Sequence, residues 1–291
     1  MPFGIAEVVA GIIMRVRQVL SSCTLAMATA VIALALVGCA DPPPRFLDPK
    51  VATSLHTIAL AVPPEPRVGY SLLSSSGLTA IALSMTTGKP ADLNSQRAVA
   101  DVSAHRKEFD LAMSQQNLHL GIDLQASLLR VLEADGYKTS VTRVNQDKKG
   151  DIILDNVGDL NSDAVLYALI IGAGYSDGLD GGPFAPETKV RIQLIDRKSK
   201  KILLERWYLY DAYASPEPQT ITAAGGGTVT ATSEAAMLDM TVLRPSAAYR
   251  FASYDKVLSN PALAADGLRA ATPLISDDLG KTFAKGQTAS P

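Results

Sequence analysis

The chain carries the nearly continuous apolar run Asp163-Ala-Val-Leu-Tyr-Ala-Leu-Ile-Ile-Gly172. A run of this kind is typical of a strand that is covered on both faces at the centre of a sheet. The segment Lys189-Val-Arg-Ile-Gln-Leu-Ile195 alternates apolar and polar residues and predicts a half-buried strand with Val190, Ile192 and Leu194 inward. These two strands decide the fold, because helices must then cover the sheet that they begin.

Segments on both sides of these strands complete a layer of helices on a sheet. A turn at 196–201 leads into a strand over Ile202–Tyr210, which closes a β-hairpin. Leu120–Gly136 has apolar residues at helical spacing and a glycine at its C-cap, and a C-terminal helix is expected to kink at Pro273. With a first strand at Thr57–Val62 and another at Tyr137–Val144, the pattern predicts an α+β (α/β layer) fold. Its helices pack on a mixed sheet of four to five strands, with a β-hairpin and a C-terminal helix.

An apolar run over 31–38 ends at Cys39 and gives way to the polar, proline-rich stretch 40–45. The residues Leu36-Val37-Gly38-Cys39 resemble a bacterial lipobox, in which an aliphatic residue and two small or apolar residues precede the cysteine that becomes residue one of the mature protein. The resemblance implies a lipoprotein signal peptide over 1–38. It also implies that the Cys39 sulfur carries a diacylglyceryl group, usually with a third acyl chain such as palmitate on the new amine.

The segment before the apolar core bears on where the signal begins. Arg15 and Arg17 supply the positive charge that a secretory signal carries before its apolar core. Because an acidic residue and a second apolar patch precede them, the pattern favours Met14 as the true start. Cys23 lies in the removed segment. Cys39 is therefore expected to be the only cysteine of the mature chain, without disulfide or thiol chemistry.

Removal of residues 1–38 leaves 253 residues, enough for one large domain or two small ones. The removed part carries two arginines and one glutamate, so the net charge changes from −2 for the whole chain to −3. A slightly acidic chain argues against nucleic acid as a partner. Together with the lipobox resemblance, which implies lipidation and a periplasmic location, the composition predicts a lipidated, proline-rich tether over 39–54. A single periplasmic α/β domain over 55–291, with an insertion at about 66–118, is expected to follow.

The lipid on Cys39 predicts the location of the mature chain. One acyl chain anchors a protein only marginally, whereas two or more hold it stably on a membrane. The protein is therefore expected to be anchored to a membrane without spanning it. Ala40 follows the cysteine, in place of the aspartate that retains enterobacterial lipoproteins at the inner membrane. This favours the periplasmic face of the outer membrane.

Three short motifs punctuate the predicted domain: Gly136-Tyr137 at a helix end, Ser162-Asp163-Ala164 at a strand start and Leu194-Ile195-Asp196 at a hairpin edge. With the strand Ile58–Val62, they resemble the small α/β domain of periplasmic lipoproteins related to the curli-export lipoprotein and to the penicillin-binding-protein activators. The match covers about residues 55–212. It implies a non-enzymatic accessory or assembly factor with a protein partner in the cell envelope. No cofactor is expected, and the oligomeric state is left open.

The segment Ser253-Tyr-Asp-Lys256 matches the Ser-x-x-Lys motif of penicillin-recognising enzymes, in which the lysine activates the serine. It supports an alternative function, a periplasmic serine hydrolase that uses Ser253 and Lys256. Ser276-Asp277-Asp278 and Lys281-Thr282-Phe283 echo the other two motifs of those enzymes. All three fall within about thirty residues, and Phe283 replaces the required glycine, so chance is the favoured explanation.

The histidines and the aspartates of the glycine-rich segment do not match the spacing of a known metal site. The histidines, His56, His105 and His119, have no partner at i+3 or i+4, so a zinc site is not expected. Asp177 and Asp180 lie in a glycine-rich segment whose spacing favours a long hairpin loop over a calcium site.

Two aromatic or apolar stretches leave both structural and binding interpretations open. Alternation places Trp207 on one face of its strand and Tyr208 and Tyr210 on the other, which predicts either core and rim packing or a binding surface. Leu72–Met85 is interpreted either as a helix packed in the core or as an exposed patch that meets lipid or another subunit. In an oligomeric export channel, a further alternative, residues 69–90 would insert into the membrane.

Overall fold

The predicted central strand is the longest strand described and extends past the apolar run that predicted it. The computed structural model describes residues 43–63, 65–73, 93–143, 161–177, 182–215, 219–222, 228–231 and 234–284. The strands in these ranges are β1 (Thr57–Ala61), β2 (Tyr70–Leu73), β3 (Lys138–Val141), β4 (Ala164–Ser176), β5 (Ala185–Asp196), β6 (Ile202–Tyr210), β7 (Gln219–Thr222), β8 (Thr228–Ala231) and β9 (Thr241–Leu243). The helices are α1 (Pro49–Ser54), α2 (Leu93–Gln115), α3 (Leu120–Ala134), α4 (Glu234–Met237), α5 (Tyr254–Leu258), α6 (Pro261–Arg269) and α7 (Ala271–Phe283).

Seven strands form one mixed sheet, in which six follow the order β3-β1-β4-β5-β6-β9 and β2 pairs with β4. β5 pairs antiparallel with β4 along its whole length. On the other side of β4, β1 pairs in parallel with residues 164–167 and β2 with residues 173–176. Two short strands thus lie end to end beside one long strand. β7 and β8 form a separate two-stranded ribbon.

The α+β class is confirmed, but the sheet is larger than the four to five strands predicted. β2 and β9 are the unexpected strands, and they contain four and three residues. Strands this short hold too few residues to leave an alternating pattern in the sequence. β9 joins the sheet beside β6, the second strand of the predicted hairpin.

One face of the sheet carries the main core. Val190, Ile192 and Leu194 point into it and are fully buried, as their alternation predicts. Helices α2, α3, α6 and α7 contribute buried side chains to the same core. The apolar stripe of α3 that contributes to it consists of Leu124, Leu128 and Leu132. The opposite face of the sheet holds a smaller cluster made of Ala59, Ala61, Val165, Tyr167 and Leu169.

Helix α3 ends where the predicted C-cap glycine lies. Gly136 has a φ of 83°, in the left-handed region that favours glycine. Its N–H donates to the Glu133 carbonyl at 3.0 Å, and the Tyr137 N–H donates to the Leu132 carbonyl at 3.1 Å. This pair of hydrogen bonds is the Schellman motif, which satisfies carbonyls that the helix end would otherwise leave unpaired.

The C-terminal helix breaks earlier than predicted. Its two parts, α6 and α7, meet at Ala270 rather than at Pro273. Pro273 lies in the first turn of α7, where its missing N–H costs no intrahelical hydrogen bond. The proline therefore helps to start a helix instead of kinking one.

The predicted tether over 39–54 ends much sooner than expected. The Pro44 carbonyl accepts a hydrogen bond from the Glu205 N–H of β6 at 2.7 Å. Leu47 and Ala52 are buried in the main core, and the Asp48 carboxylate caps α1 by accepting from the Lys50 N–H at 2.8 Å. Proline content misled the prediction, because it gives no information on whether the next residues pack.

The described parts of the region predicted as an insertion at about 66–118 also belong to the core. They supply β2, which pairs with β4, and α2, which packs against β2. Phe109 and Met113 of α2 are fully buried. Helix α2 is thus solvated only on part of its surface.

Residues from Pro43 to Pro291 group into one compact unit. The other unit, Met1–Pro42, holds the predicted signal peptide and Cys39 and lies wholly outside the described residues. None of the helices in the described ranges combines the length and apolar composition that crossing a bilayer requires.

Helices α3 and α7 approach each other closely where Gly280 faces Val131, because a Cβ added at Gly280 would overlap Val131 Cγ1. Gly280→Ala is expected to lower the free energy of unfolding by about 1–3 kcal/mol in urea titrations, since neighbouring atoms must move apart. In a Val131→Ala background the space is free, and alanine's helix preference of about 0.5–1 kcal/mol should make the same change neutral or favourable. An equal cost in both backgrounds would contradict the close contact.

Asp163 connects the starts of β1 and β4. Its Oδ2 accepts from the His56 N–H at 2.8 Å and the Thr57 N–H at 2.9 Å, while its own N–H donates to Thr57 Oγ1 at 2.8 Å. The hydrogen bond from the His56 backbone is the main reason that the pKa of Asp163 lies below its ordinary value.

Asp163→Ala should therefore lower the free energy of unfolding by about 1–3 kcal/mol, because two backbone N–H groups lose their acceptor. A pKa that is lower in the folded state gives stability above the unfolded value of about 3.9 and loses it as the pH falls through the folded value. The difference between wild type and variant should thus be constant above about pH 5 and shrink below about pH 4. Asp163→Asn, which keeps an acceptor without a charge, is the control. A difference that stays unchanged at pH 3 would contradict this role.

Candidate interaction surface

The aromatic residues of strand β6 lie on its two opposite faces, as the alternation predicts. Tyr208 and Tyr210 are fully buried in the main core, whereas Trp207, the single tryptophan of the chain, is half-buried on the opposite face. The Tyr208 hydroxyl donates to Asp278 Oδ2 at 3.2 Å, and the Tyr210 hydroxyl has no hydrogen-bond partner among the residues that the structure describes. Burial raises the pKa of both phenols, that of Tyr210 to about 12. The two tyrosines are core residues, which leaves Trp207 as the aromatic residue available to a surface.

Glu205 lies two residues before Trp207 on the same face and collects side-chain donors from two strands. Gln193 Nε2 donates to its Oε2 at 2.7 Å, and Trp207 Nε1 donates to its Oε1 at 3.0 Å. Arg191 donates through Nε at 3.3 Å and Nη2 at 3.4 Å, one to each carboxylate oxygen. Because the Glu205 side chain is only 12% exposed, these donors replace the water that a carboxylate would otherwise hold.

Two cations also lie over the Trp207 ring. Lys189 Nζ and Arg191 Cζ are each 5.5 Å from the ring centroid. Contacts of this kind contribute about 0.5–1 kcal/mol at exposed sites. Together with the hydrogen bond to Glu205, they hold the indole in one orientation on the sheet.

The N-terminal segment runs along this part of β6. The Pro44 carbonyl pairs with the Glu205 N–H, and Arg45 forms an ion pair with Asp239 in the turn that follows α4. Asp239 has a φ of 47°, a left-handed conformation that Asp adopts more readily than most residues. The ion pair therefore connects the start of the domain to a turn 194 residues later in the chain.

Large apolar side chains that neighbour the two residues of this ion pair in the sequence face solvent. Phe46 is 79% exposed and Met237 is 65% exposed, and Leu238 is also exposed. We refer to Phe46, Met237 and Leu238 as the edge patch. A small cluster of Leu209, Ala235 and Met240, with Trp207 and Val242 packed against it, buries apolar area around the same turn.

The residues of the hydrolase alternative lie on a short surface helix. Ser253 is the N-cap residue of α5, and Lys256 lies within it; both are exposed. Their recorded hydrogen bond is between backbones, from the Lys256 N–H to the Ser253 carbonyl at 3.1 Å. In the other motif fragments, the buried Ser276 hydroxyl donates to the Thr272 carbonyl at 2.9 Å, and Thr282 Oγ1 accepts from Arg206 at 3.0 Å. These contacts are structural, and they give the alternative no catalytic geometry.

The three histidines have separate surroundings. His56 lies at the start of β1, and the His105 ring stacks on Tyr254 at a centroid distance of 4.1 Å. His119 Nδ1 lies 2.5 Å from Glu65 Oε1. Among the residues that the structure describes, no three His, Cys, Asp or Glu side chains are grouped so that they could hold a metal ion. Asp180 of the predicted loop lies outside those residues.

A polar cluster that was not predicted joins β2 to α3. The buried Tyr70 hydroxyl donates to the Leu118 carbonyl at 3.0 Å and lies 3.3 Å from Glu65 Oε2. Burial raises the pKa of Tyr70 above its ordinary value. Glu65 in turn contacts His119 at the N-terminus of α3. The two segments that form it, 65–70 and 118–119, are about 50 residues apart in sequence, so no local pattern indicates the cluster.

The apolar segment Leu72–Met85 is described only at its start. Leu72 is buried in β2, a strand rather than the helix of the first interpretation. Residues 74–92 lie outside the described residues, and with them most of the segment 69–90 that a channel would insert.

A comparison of the chain with family models finds no match, and neither does a comparison with curated proteins. Among solved structures, the chain is similar to protein XCC0632 from Xanthomonas campestris, described with the family DUF330. That match has 11% identity, a TM-score of 0.30 and coverage of 83% of this chain and 93% of that one. It is also similar to the hypothetical protein CT253 from Chlamydia trachomatis, with 11% identity, a TM-score of 0.29 and coverage of 79% and 98%. Likenesses this distant carry no argument about function.

Glu205→Gln should disturb the surface around Trp207, because the new amide places a donor among donors. We expect a loss of about 2–4 kcal/mol in the free energy of unfolding. The emission of the single tryptophan should also shift to the red as Trp207 Nε1 loses its partner. Glu133→Gln, at an exposed carboxylate that accepts from Thr139, is the control and should change stability by no more than about 0.5 kcal/mol. If the two substitutions lowered the free energy of unfolding equally, the Glu205 hydrogen bonds would not stabilise the fold.

Proposed function

We propose that the protein is a lipid-anchored accessory or assembly factor of the cell envelope, which acts by binding a protein partner rather than by catalysis. The observation that carries the proposal is the lipobox-like sequence Leu36-Val37-Gly38-Cys39 at the end of an apolar run. Its position relative to the folded domain supports the idea. Four residues after Cys39, at Pro43, the chain enters a compact unit.

The chemistry of the anchor determines where such a protein works. Each buried methylene of an acyl chain contributes about 0.8 kcal/mol, so a diacylglyceryl group with or without a third chain holds the protein stably on one leaflet. Ala40 after the cysteine favours the outer membrane, and the domain then faces the periplasm. A domain in that location can contact other envelope proteins while it remains attached to the bilayer.

The resemblance to the curli-export and penicillin-binding-protein-activator lipoproteins supports an accessory role in preference to an enzyme. Its motif residues have structural roles in this fold. Asp163 accepts two backbone N–H groups at the start of the sheet, and Asp196 Oδ1 accepts from the Ser199 N–H at 2.6 Å in the hairpin turn. Ser253 and Lys256, by contrast, are exposed on a helix of five residues. A hydrolase would need this pair sheltered and aligned, so the hydrolase alternative is the weaker one.

Cys39→Ser tests the proposal directly, because it removes the sulfur that would be acylated. In the native host the variant should accumulate as unprocessed or soluble material, lose incorporation of labelled palmitate and leave the outer-membrane fraction. Cys23→Ser is the matched control, since Cys23 lies in the segment that is removed. It should be processed and anchored as in the wild type. A Cys39→Ser protein of mature size in the membrane fraction would contradict the anchor.

The accessory role is tested in the same strains. Cross-linking in intact cells should recover a specific envelope protein with the wild type and much less of it with Cys39→Ser. Failure to enrich any envelope protein, despite normal anchoring of the wild type, would contradict the accessory role and leave the anchor intact.

A further inference from the structure

The two most exposed large apolar side chains of the described residues lie beside one ion pair. Phe46 is next to Arg45, and Met237 and Leu238 directly precede Asp239. Single exposed apolar residues are normal on a protein surface. The segments that carry Phe46 and Met237 are far apart in the chain, and the ion pair between Arg45 and Asp239 joins them.

The backbone that presents the edge patch is held in place. Leu47, next to Phe46, is buried in the main core, and the carbonyl of Pro44 is bonded to β6. On the other segment, the Met240 N–H donates to the Ala235 carbonyl at 2.8 Å, and both residues are buried. Met237 and Leu238 lie inside the turn that this bond closes. The patch is thus formed before any partner arrives.

The number of residues between Cys39 and Phe46 limits how far Phe46 can lie from Cys39. Phe46 is seven residues after Cys39, a distance that a fully extended chain covers in at most about 25 Å. Pro42, Pro43 and Pro44 restrict the connection further. With Cys39 lipidated as proposed, Phe46 cannot lie farther from the bilayer than this.

From these observations we infer that the edge patch rests on the surface of the lipid bilayer and inserts Phe46, Met237 and Leu238 among the headgroups. The inference rests on the proposed lipid anchor and adds a second contact with the same membrane. Amphipathic protein surfaces insert apolar side chains about 5–10 Å into this boundary. Two points of attachment fix the orientation of the domain, whereas the lipid alone leaves it free to rotate.

The size and charge of the patch favour lipid over protein as its occupant. A stable protein interface buries about 1,200–2,000 Å² in total, far more than three side chains offer. Arg45, the basic residue beside the patch, is neutralised by Asp239. The contact therefore depends on apolar insertion and is expected to be insensitive to salt and to anionic lipid.

The test uses the lipidated full-length protein in vesicles of phosphatidylethanolamine and phosphatidylglycerol. An environment-sensitive fluorophore is attached at Met237→Cys, where the acylated Cys39 does not compete for the label. Leu111→Cys on α2 is the matched control, because Leu111 has a similar exposure of 60% but lies on the helical layer. Nitroxide-bearing lipids and aqueous iodide then serve as two quenchers.

We expect nitroxide lipid to quench the label at position 237 at least threefold more than the label at position 111, and iodide to show the reverse order. Both differences should persist in 0.5 M salt. Adding Phe46→Asp should reduce lipid quenching at position 237 at least twofold while the protein still floats with the vesicles.

Equal lipid quenching at the two positions, in protein that floats with the vesicles, would overturn the inference and leave the anchor intact. Quenching at position 237 that is unchanged by Phe46→Asp would likewise overturn it. Failure of the wild-type protein to float would remove the anchor itself and would overturn both proposals.

Discussion

The backbone of β4 is the constraint on which the rest of the structure depends. The strand has 13 residues, and most of its side chains are buried. A buried strand must pair its N–H and C=O groups along its length, so β4 requires neighbours on both sides. β5 fills one side, while β1 and β2 divide the other between them. Gly174 shows how close this pairing is, because a Cβ at that position would collide with the Ser71 carbonyl of β2.

The elements that follow a local pattern were predictable from the sequence. β4 and β5 show apolar runs and alternation, and α3 shows a stripe and a terminal glycine, so each carries its own signal over seven or more residues. β2 and β9 carry no such signal, because their pairing with long neighbours, and not their composition, makes them strands. The position of the helix break at Ala270 also depends on tertiary packing, which outweighed the local preference of Pro273.

The surface around β6 was predictable only in part, for a similar reason. Alternation alone placed Trp207 opposite Tyr208 and Tyr210. The donors around Glu205 come from two strands, and the contact between Arg45 and Asp239 spans most of the domain, so neither appears as a motif. The lipid on Cys39 stays a prediction, because it depends on recognition of the N-terminal sequence and not on the folded domain.

The contact of the N-terminal segment with β6 and with the turn at Asp239 has a consequence for the order of folding. The residues that close this edge of the sheet are among the first of the domain to be made, whereas their partners come 194 residues later in the case of Arg45 and Asp239. Contacts of such long sequence separation slow folding, since a long loop must close before they form. Pro44 to Leu47 must therefore wait, uncovered, until most of the chain has followed. During that interval the unpaired edge of β6 and the apolar side chain of Leu47 are the features that a chaperone or an aggregating neighbour would meet first.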